Sequence, residues 1–253
     1  MMTTFLDGLA VETRKARSSR VLWSTGLLLV LGANGLAATM VLAARSGDAQ
    51  LLAKLGPQAA AGDWTAMLSA AAQITSAGGL LAFGVGASWL YGREFAEGTV
   101  SGLFGLPVSR GRLAGAKLVV YAGWSLVISA LMTVILLGAG LAIGLGVPDS
   151  AVVAGLGRQF ALGVLTASIA VPAGWASSLG RGLLPGIAAS VGILVLAQVA
   201  VLADFASWVP FVAPAFWALQ PASSALPLLV VPVIPILFGA ATVTTWRRLQ
   251  LDR

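Results

Sequence analysis

Residues 92–117 read GREFAEGTVSGLFGLPVSRGRLAGAK, a long polar and charged stretch inside an otherwise apolar sequence. Six of the chain's 15 basic and nine acidic residues lie in it: Arg93, Glu94, Glu97, Arg110, Arg112 and Lys117. The sequence on both sides is apolar over lengths that can cross a bilayer, about 20 residues or more. The stretch therefore predicts a polar loop between two membrane-spanning helices.

The composition of the whole chain indicates a membrane protein. Of the 253 residues, 58% are hydrophobic and 9% are charged, whereas soluble domains carry about a quarter charged residues. Such a chain has too little polar surface to fold in water, and a bilayer is the solvent that suits it. We therefore predict an all-α integral membrane protein in which residues 1–253 form a single transmembrane domain.

The residue types that the chain lacks exclude several kinds of chemistry. There is no cysteine and no histidine, which rules out disulfides, Cys/His zinc sites, cysteine nucleophiles and histidine general bases. The net charge of +6 does not by itself indicate nucleic acid, because basic residues in a membrane protein mainly set its orientation. We expect no metal site, no nucleic-acid partner and no enzymatic activity in this chain.

Hydropathy and basic residues together predict the topology. Six apolar runs approach or exceed the length of a span: 21–44, 64–91, 118–147, 159–179, 183–203 and 226–246. With the N-terminus inside, twelve of the 15 basic residues are cytoplasmic, a strong positive-inside bias. Both termini are then cytoplasmic, and residues 92–117 form the first cytoplasmic loop.

Charged residues are predicted to avoid the middle of the spans. Arg158, Arg181 and Asp204 all fall near predicted span ends, where long side chains can reach the interface. This pattern argues against proton-coupled transport, which usually needs an ionisable group inside the membrane.

Uncharged polar residues inside the spans are candidates for a substrate path: Asn34, Gln73 and Gln198. An alternative is that these side chains hydrogen-bond to neighbouring helices, as polar residues in membrane helices commonly do.

The N-terminal residues 1–20 predict a helix lying in the membrane interface. Phe5, Leu6, Leu9 and Ala10 fall on one helical face, with the charged residues mostly elsewhere. The alternative is a solvated terminus.

Residues 204–225 are external in this topology, yet they contain five aromatic residues and three prolines. We predict a short, broken re-entrant or interfacial hairpin, because proline interrupts a continuous helix and aromatic side chains favour the interface. The alternative is an ordinary loop with aromatic anchors. Three further prolines in the outer half of the sixth run predict a kink or an irregular turn there: Pro227, Pro232 and Pro235.

The cytoplasmic loop itself predicts a short helix. Thr99 is a suitable N-cap, and the apolar residues that follow it recur at helical spacing before Pro107 ends the segment. Ser109 is then placed to cap the helix that continues into the third span. A helix of about two turns is too short to be stable alone, so it needs a surface on which to dock.

The loop residues share the spacing of a known family: Glu97-Gly98-Thr99, then Leu103, then Leu106-Pro107-Val108-Ser109-Arg110, then Lys117 leading into a span. This set resembles the first cytoplasmic loop of ABC-2-type transporter permeases. The N-terminus is similar to that family's opening, in which a glutamate and a lysine precede the first span: Glu12, Lys15, Arg17, Arg20 and Trp23. The layout of six spans with both ends inside also agrees.

The resemblance implies that residues 92–117 contain a coupling helix, which docks on a separate cytoplasmic ATP-binding cassette ATPase. Carried over by position, the coupling residues are Glu94, Glu97, Gly98, Thr99, Leu103, Phe104, Pro107, Ser109 and Arg110. The chain has no G-x-x-x-x-G-K-[ST] phosphate loop, so ATP and Mg²⁺ would be bound by the partner and no cofactor by this chain. The resemblance further implies an exporter of an amphipathic or apolar substrate, built from two permease chains in a bacterial inner membrane.

Other functions remain possible at this stage. An ATP-independent carrier or channel would show charges inside the spans or an inverted repeat, and the sequence shows neither. An intramembrane enzyme would need acidic or serine chemistry within a span. A structural or signalling membrane subunit is compatible with the same pattern.

Overall fold

The computed structural model describes residues 3–46, 61–105, 108–202, 206–220 and 223–250, and every regular element in them is helical. The α-helices are α1 (Thr3–Arg17), α2 (Arg20–Arg45), α3 (Trp64–Ile74), α4 (Leu80–Ala96), α5 (Arg110–Ala142), α6 (Ser150–Ile169), α7 (Pro172–Leu179), α8 (Leu183–Ala200), α9 (Ala213–Leu219) and α10 (Val233–Arg247). A π-helical turn, Thr75–Gly79, joins α3 to α4, and 3₁₀ turns cover Thr99–Gly105, Ala206–Trp208 and Leu226–Val230. The predicted all-α class is confirmed.

Six helical segments in the described residues are long and apolar enough to cross a membrane: Arg20–Arg45, Trp64–Ala96, Arg110–Ala142, Ser150–Leu179, Leu183–Ala200 and Leu226–Arg247. The predicted number of spans is confirmed. The helix that continues into the third span begins at Arg110, as the predicted cap at Ser109 requires, and the second span continues to Ala96. The predicted start of the fourth span is wrong, because its helix begins at Ser150 and Arg158 therefore lies within it.

Local sequence explains where several helices begin and break. Ser19, Asp63 and Asp149 each accept a hydrogen bond at their side chain from a backbone N–H three residues later, as N-caps do. Pro172 starts α7 and separates it from α6 within the fourth span. Prolines in the sixth span give the 3₁₀ turn Leu226–Val230 before α10, which confirms the predicted irregularity.

The helices meet at two different ends of the bundle. At one end, which we call the basic end, the end of α4, the start of α5 and the end of α10 pack together with α1. The opposite end is formed by the end of α2, the starts of α3 and α6 and the end of α5. A second, smaller apolar core lies there, with Trp64, Met67 and Leu136 at its centre.

Helix α1 forms over the predicted residues and buries a polar side against the bundle. It packs along α5, with Gly8 and Glu12 buried, while Leu6 is 52% exposed. Leu6 and Ala10, which the sequence places on the interfacial face, are exposed on this chain, so their position in the membrane interface stays a prediction. An ion pair described below explains why the polar Glu12 turns inwards.

The segment 206–220 is broken into a 3₁₀ turn and the short helix α9, and α9 packs against α3 and α6. Pro214 lies in the first turn of α9, where proline is tolerated because its missing N–H would be unpaired anyway. The remaining residues of the predicted hairpin, 204–205 and 221–222, lie outside the described residues.

Candidate functional site: a buried charge cluster beneath an exposed loop

Four charged side chains meet at the basic end and form what we call the charge cluster: Glu12, Lys15, Glu94 and Lys117. Glu12 and Lys117 are each 1% exposed and Glu94 is 2% exposed. They come from three elements, α1, α4 and α5. A buried charge is strongly unfavourable unless it is paired and hydrogen-bonded, so this geometry depends on all four partners.

Lys117 is at the centre of the cluster. Its Nζ lies 2.6 Å from Glu94 Oε1, 2.9 Å from Glu12 Oε2 and 2.9 Å from the carbonyl oxygen of Leu90. An ammonium group has three N–H donors, and these three acceptors use all of them. Lys117 thereby joins α5 to both α1 and the end of α4.

Lys15 completes the charge balance from the outer side of the cluster. Its Nζ lies 2.7 Å from Glu12 Oε1 and 3.3 Å from Glu94 Oε1, and its side chain is 28% exposed. Two cations then face two carboxylates. One acceptor has no donor: Glu94 Oε2 is buried and has no hydrogen-bond partner within the described part of the chain.

The ion pairs shift the pKa values of the two groups on α1 outside the spans. Burial alone would raise the pKa of Glu12, but Lys117 and Lys15 outweigh it and hold the pKa below the ordinary value of 4.5. Burial alone would lower the pKa of Lys15, but Glu12 and Glu94 outweigh it and hold the pKa above 10.5. Both groups are therefore charged throughout the neutral range.

Aromatic side chains pack against the cluster on the side of α10. Lys117 Nζ lies 5.6 Å from the centre of the Trp246 ring, within the range of a cation–π contact. Trp246 is fully buried and its Nε1 donates to Ser178 Oγ at 2.8 Å. Phe95 and Tyr91 meet the same ring edge-on. These rings cover Lys117 on one side and connect α10 to the cluster.

The loop leaves α4 directly beside the cluster. Glu97 is the C-cap of α4, and Gly98 follows with φ +67°, the left-handed conformation that glycine favours at a helix end. Thr99–Gly105 then forms a 3₁₀ helix. The sequence predicted an α-helix of about two turns here. The helical segment is confirmed, but its type is 3₁₀.

The surface of the loop is formed by its first residues. Glu97, Gly98, Thr99, Ser101 and Gly102 are exposed, and the Glu97 carboxylate lies 3.3 Å from Arg93. The side chains of Leu103 and Phe104, and all of Pro107, lie outside the described residues.

Two of the predicted coupling residues, Glu94 and Arg110, bond to other parts of this chain. The sequence places Glu94 in the polar loop, but it lies in the last turn of α4 and is buried in the charge cluster. Arg110 donates from Nη1 to the carbonyl oxygen of Leu249, which ties the C-terminal segment to the start of α5. Ser109 is the N-cap residue of α5, where its backbone carbonyl accepts from Arg112 and Leu113.

The three residues predicted to line a substrate path lie in two different environments. Asn34 is buried, and its Nδ2 donates to Val30 O at 2.7 Å and Met132 O at 3.2 Å, so it bonds α2 to α5. Gln73 and Gln198 are exposed on the outside of this chain, and Gln73 contacts Ser69 of its own helix at 3.4 Å. For Asn34 the helix-bonding alternative is the correct one.

Sequence reasoning missed the role of Lys117, which it treated mainly as a determinant of topology. The available signal was that Glu94 and Lys117 flank the loop at the two span ends, with Glu12 and Lys15 before the first span. Equal numbers of opposite charges at adjacent span ends are able to pair when those ends meet.

Fold and site together define a multi-pass helical membrane protein whose polar loop rests on buried ion pairs. A family model described as an ABC-2 family transporter protein matches residues 9–197, most of the chain. The chain belongs to this family and is an ABC-2-type transporter permease. No curated protein matches the chain.

Proposed function

We propose that this chain is the membrane subunit of an ATP-driven exporter and that a separate cytoplasmic ATPase docks on residues 97–109. Under this proposal the basic end faces the cytoplasm, in agreement with the positive-inside bias of the sequence. The partner binds ATP and Mg²⁺, and this chain contributes no catalytic group. A second permease chain completes the assembly in a bacterial inner membrane.

The observation that carries the proposal is the connection between the loop and the charge cluster. The exposed residues 97–99 directly follow α4, within a few residues of Glu94, and α5 carries Lys117, which is bonded to Glu94 at 2.6 Å. A partner that pushes on the loop therefore acts on α4 and α5 as one unit. Through Glu12 it also acts on α1, and through Trp246 on α10.

This arrangement suits a rigid-body gating movement. Loops that receive force need a stiff support, and buried ion pairs that join three helices provide rigidity. Closure of the ATPases would shift the basic end and open or close the opposite end. The spans of this chain carry few polar groups. This low polarity favours an amphipathic or apolar substrate, such as a drug-like compound, a peptide or a lipid.

Cross-linking tests the docking surface directly, because the native chain has no cysteine. Ser101→Cys places one thiol on the exposed loop, and Val147→Cys places one at the opposite end, where Val147 is 91% exposed. In native membranes treated with a thiol cross-linker, we expect Ser101→Cys to form an adduct with a protein that contains a Walker-motif ATPase domain. The Val147→Cys control should form none. If Ser101→Cys gave no ATPase adduct, the docking proposal would fail.

Loop variants test whether docking matters for transport. Glu97→Lys reverses an exposed charge, and Gly98→Trp adds bulk at a position with φ +67° and open space around it. We expect both to abolish export while the protein still inserts into the membrane, measured as export in cells and protein level in membrane fractions. Arg14→Glu, an exposed charge reversal on α1, is the matched control and should export normally. Normal export by both loop variants would remove the coupling role.

A further inference from the structure

A cavity at the opposite end of the bundle has no part in the coupling site. It has a volume of about 690 Å³ and lies between α3 and α6, with α9 as a third wall. Small side chains create the space, including Ala72, Ala154 and Gly155. Its size falls within the range of about 300–1,000 Å³ that is usual for small-molecule sites.

The position of the cavity follows from the helix starts. Asp149, the N-cap of α6, and Gln159 both line it, and ten residues of helix separate them by about 15 Å. That distance is about half of a hydrocarbon core of roughly 30 Å. The cavity therefore extends from the end of the span to about the middle of the bundle.

Contacts of Arg158 with Trp217 hold helix α9 against α6 beside the cavity. The guanidinium donates from Nη1 to the carbonyl oxygen of Trp217 at 2.9 Å and lies 4.7 Å from the centre of its ring. Ala218 and Leu219, the next residues of α9, then line the cavity. The third wall is thus held by a charged contact as well as by packing.

A buried polar group on the cavity wall has an unused acceptor. Gln159 is 4% exposed, and its Nε2 donates to Thr75 Oγ1 at 2.8 Å. Its Oε1 is buried and has no hydrogen-bond partner in the described residues. Buried side-chain oxygens are normally bonded, and Thr75 begins the π-helical turn Thr75–Gly79, a distortion that is frequent at functional sites.

We propose that the cavity binds an amphipathic molecule whose hydrocarbon part lies among the small apolar side chains and whose hydroxyl or amide N–H donates to Gln159 Oε1. The apolar lining provides the affinity for the hydrocarbon part. The unused oxygen selects molecules that carry a donor. This binding goes beyond the coupling role and needs no ATPase, so it is measured on the purified chain alone.

Photolabelling with a diazirine-bearing hexadecanol tests the proposal on the full chain in lipid nanodiscs. We expect labelled peptides from residues 61–72 and 151–159. Unlabelled hexadecanol should compete about five- to tenfold better than hexadecyl methyl ether, which has no donor, as expected for one hydrogen bond. Gln159→Leu should remove this preference, whereas Thr75→Val should keep it because Oε1 is still present.

A second pair of variants tests the cavity itself. Ala154→Phe fills the space, and Val153→Phe adds the same ring to a neighbouring position that is 59% exposed. We expect Ala154→Phe to lose labelling of both peptides and Val153→Phe to keep it. Equal competition by alcohol and ether, or equal labelling of all four variants and the native chain, would overturn the proposal.

The same probe separates two sources of this ligand chemistry. With the complex purified from native membranes, hexadecanol that stimulates ATP hydrolysis marks the occupant class as exported substrate. Binding without stimulation marks it as a resident membrane lipid. Either result, together with the preference for the alcohol, assigns the cavity as a binding site for an amphipathic molecule. If the loop cross-link described above failed, the exporter proposal would fall, but the evidence for this site would be unaffected.

Discussion

The two ends of the bundle are stabilised in opposite ways. At the basic end, Glu12, Glu94 and Lys117 are buried and paired, with the partly exposed Lys15 completing the charge balance, and Lys117 uses every donor it has. At the opposite end, Trp64 packs on helix backbone in a small apolar core, and beside it lies a cavity with an unpaired oxygen. One end therefore depends on charge balance and the other on shape and volume.

This contrast assigns different tasks to the two ends. A region that receives force from a partner works best when it moves as a unit, and paired charges at close distance favour that. A region that holds a variable ligand needs space and a few placed polar groups. Mutations that change charge should therefore act mainly at the basic end, and mutations that change volume mainly at the opposite end.

The largest effect is expected for Lys117→Met, which leaves the two carboxylates of Glu12 and Glu94 with Lys15 alone. Removing one partner of a buried ion pair lowers the free energy of unfolding by about 3–5 kcal/mol. Thermal unfolding of the detergent-purified protein, followed by tryptophan fluorescence, measures it. The double variant Lys117→Met/Glu94→Gln should recover part of the loss. The control Arg14→Met removes an exposed charge and should change the free energy of unfolding little. If Arg14→Met lowered it as much as Lys117→Met does, the role of the cluster would be contradicted.

A smaller effect is expected for Gly140→Ala at the opposite end. A Cβ at Gly140 would overlap the ring of Trp64, and such overpacking lowers the free energy of unfolding by about 1–3 kcal/mol. Gly138, two residues away on α5, has open space around its Cβ position. Gly138→Ala should therefore raise stability by about 0.5–1 kcal/mol. The same unfolding assay compares them, and equal midpoints for the two variants would show that this end does not depend on shape.

The smallest effect is expected from pH acting on the cluster. Because the pKa of Glu12 is lowered in the folded protein, its stabilisation is present above pH 4.5 and is lost as pH falls through the folded-state pKa. Because the pKa of Lys15 is raised, its stabilisation is present below pH 10.5 and is lost as pH rises through the folded-state value. Unfolding midpoints measured across pH should fall at both extremes, and Glu12→Gln should flatten the acid side. An unchanged acid limb in Glu12→Gln would argue against the lowered pKa.

Much of the fold was predictable because a bilayer restricts the choices. The six spans follow from apolar length, and the irregular start of the sixth follows from its prolines. The start of the fourth span at Ser150 was missed because Arg158 was taken to mark the end of the span. Arg158 lies within α6, where it donates to the carbonyl oxygen of Trp217. The helix from Arg110 follows from its cap at Ser109, but the pairing of Lys117 with Glu94 does not.

The candidate site was predictable only in part. The exposed turn at Glu97 and Gly98 follows from local sequence, since glycine suits the left-handed end of α4. The charge cluster does not, because Glu12 and Lys117 are 105 residues apart and the pairing depends on which helix ends meet. The side of α1 that packs on α5 does not follow from local sequence for the same reason, since it is the ion pair of Glu12 that turns this side inwards.

The distance along the chain between Glu12 and Lys117 also sets an order of assembly. At about 5–20 residues per second, a ribosome needs roughly 5 to 20 seconds to make the intervening 105 residues. Until then Glu12 and Lys15 have each other but lack Lys117, so α1 has no docking site on α5. Trp246, which covers the cluster, is made later still. Helix α1 is therefore synthesised well before the residues that hold it in place.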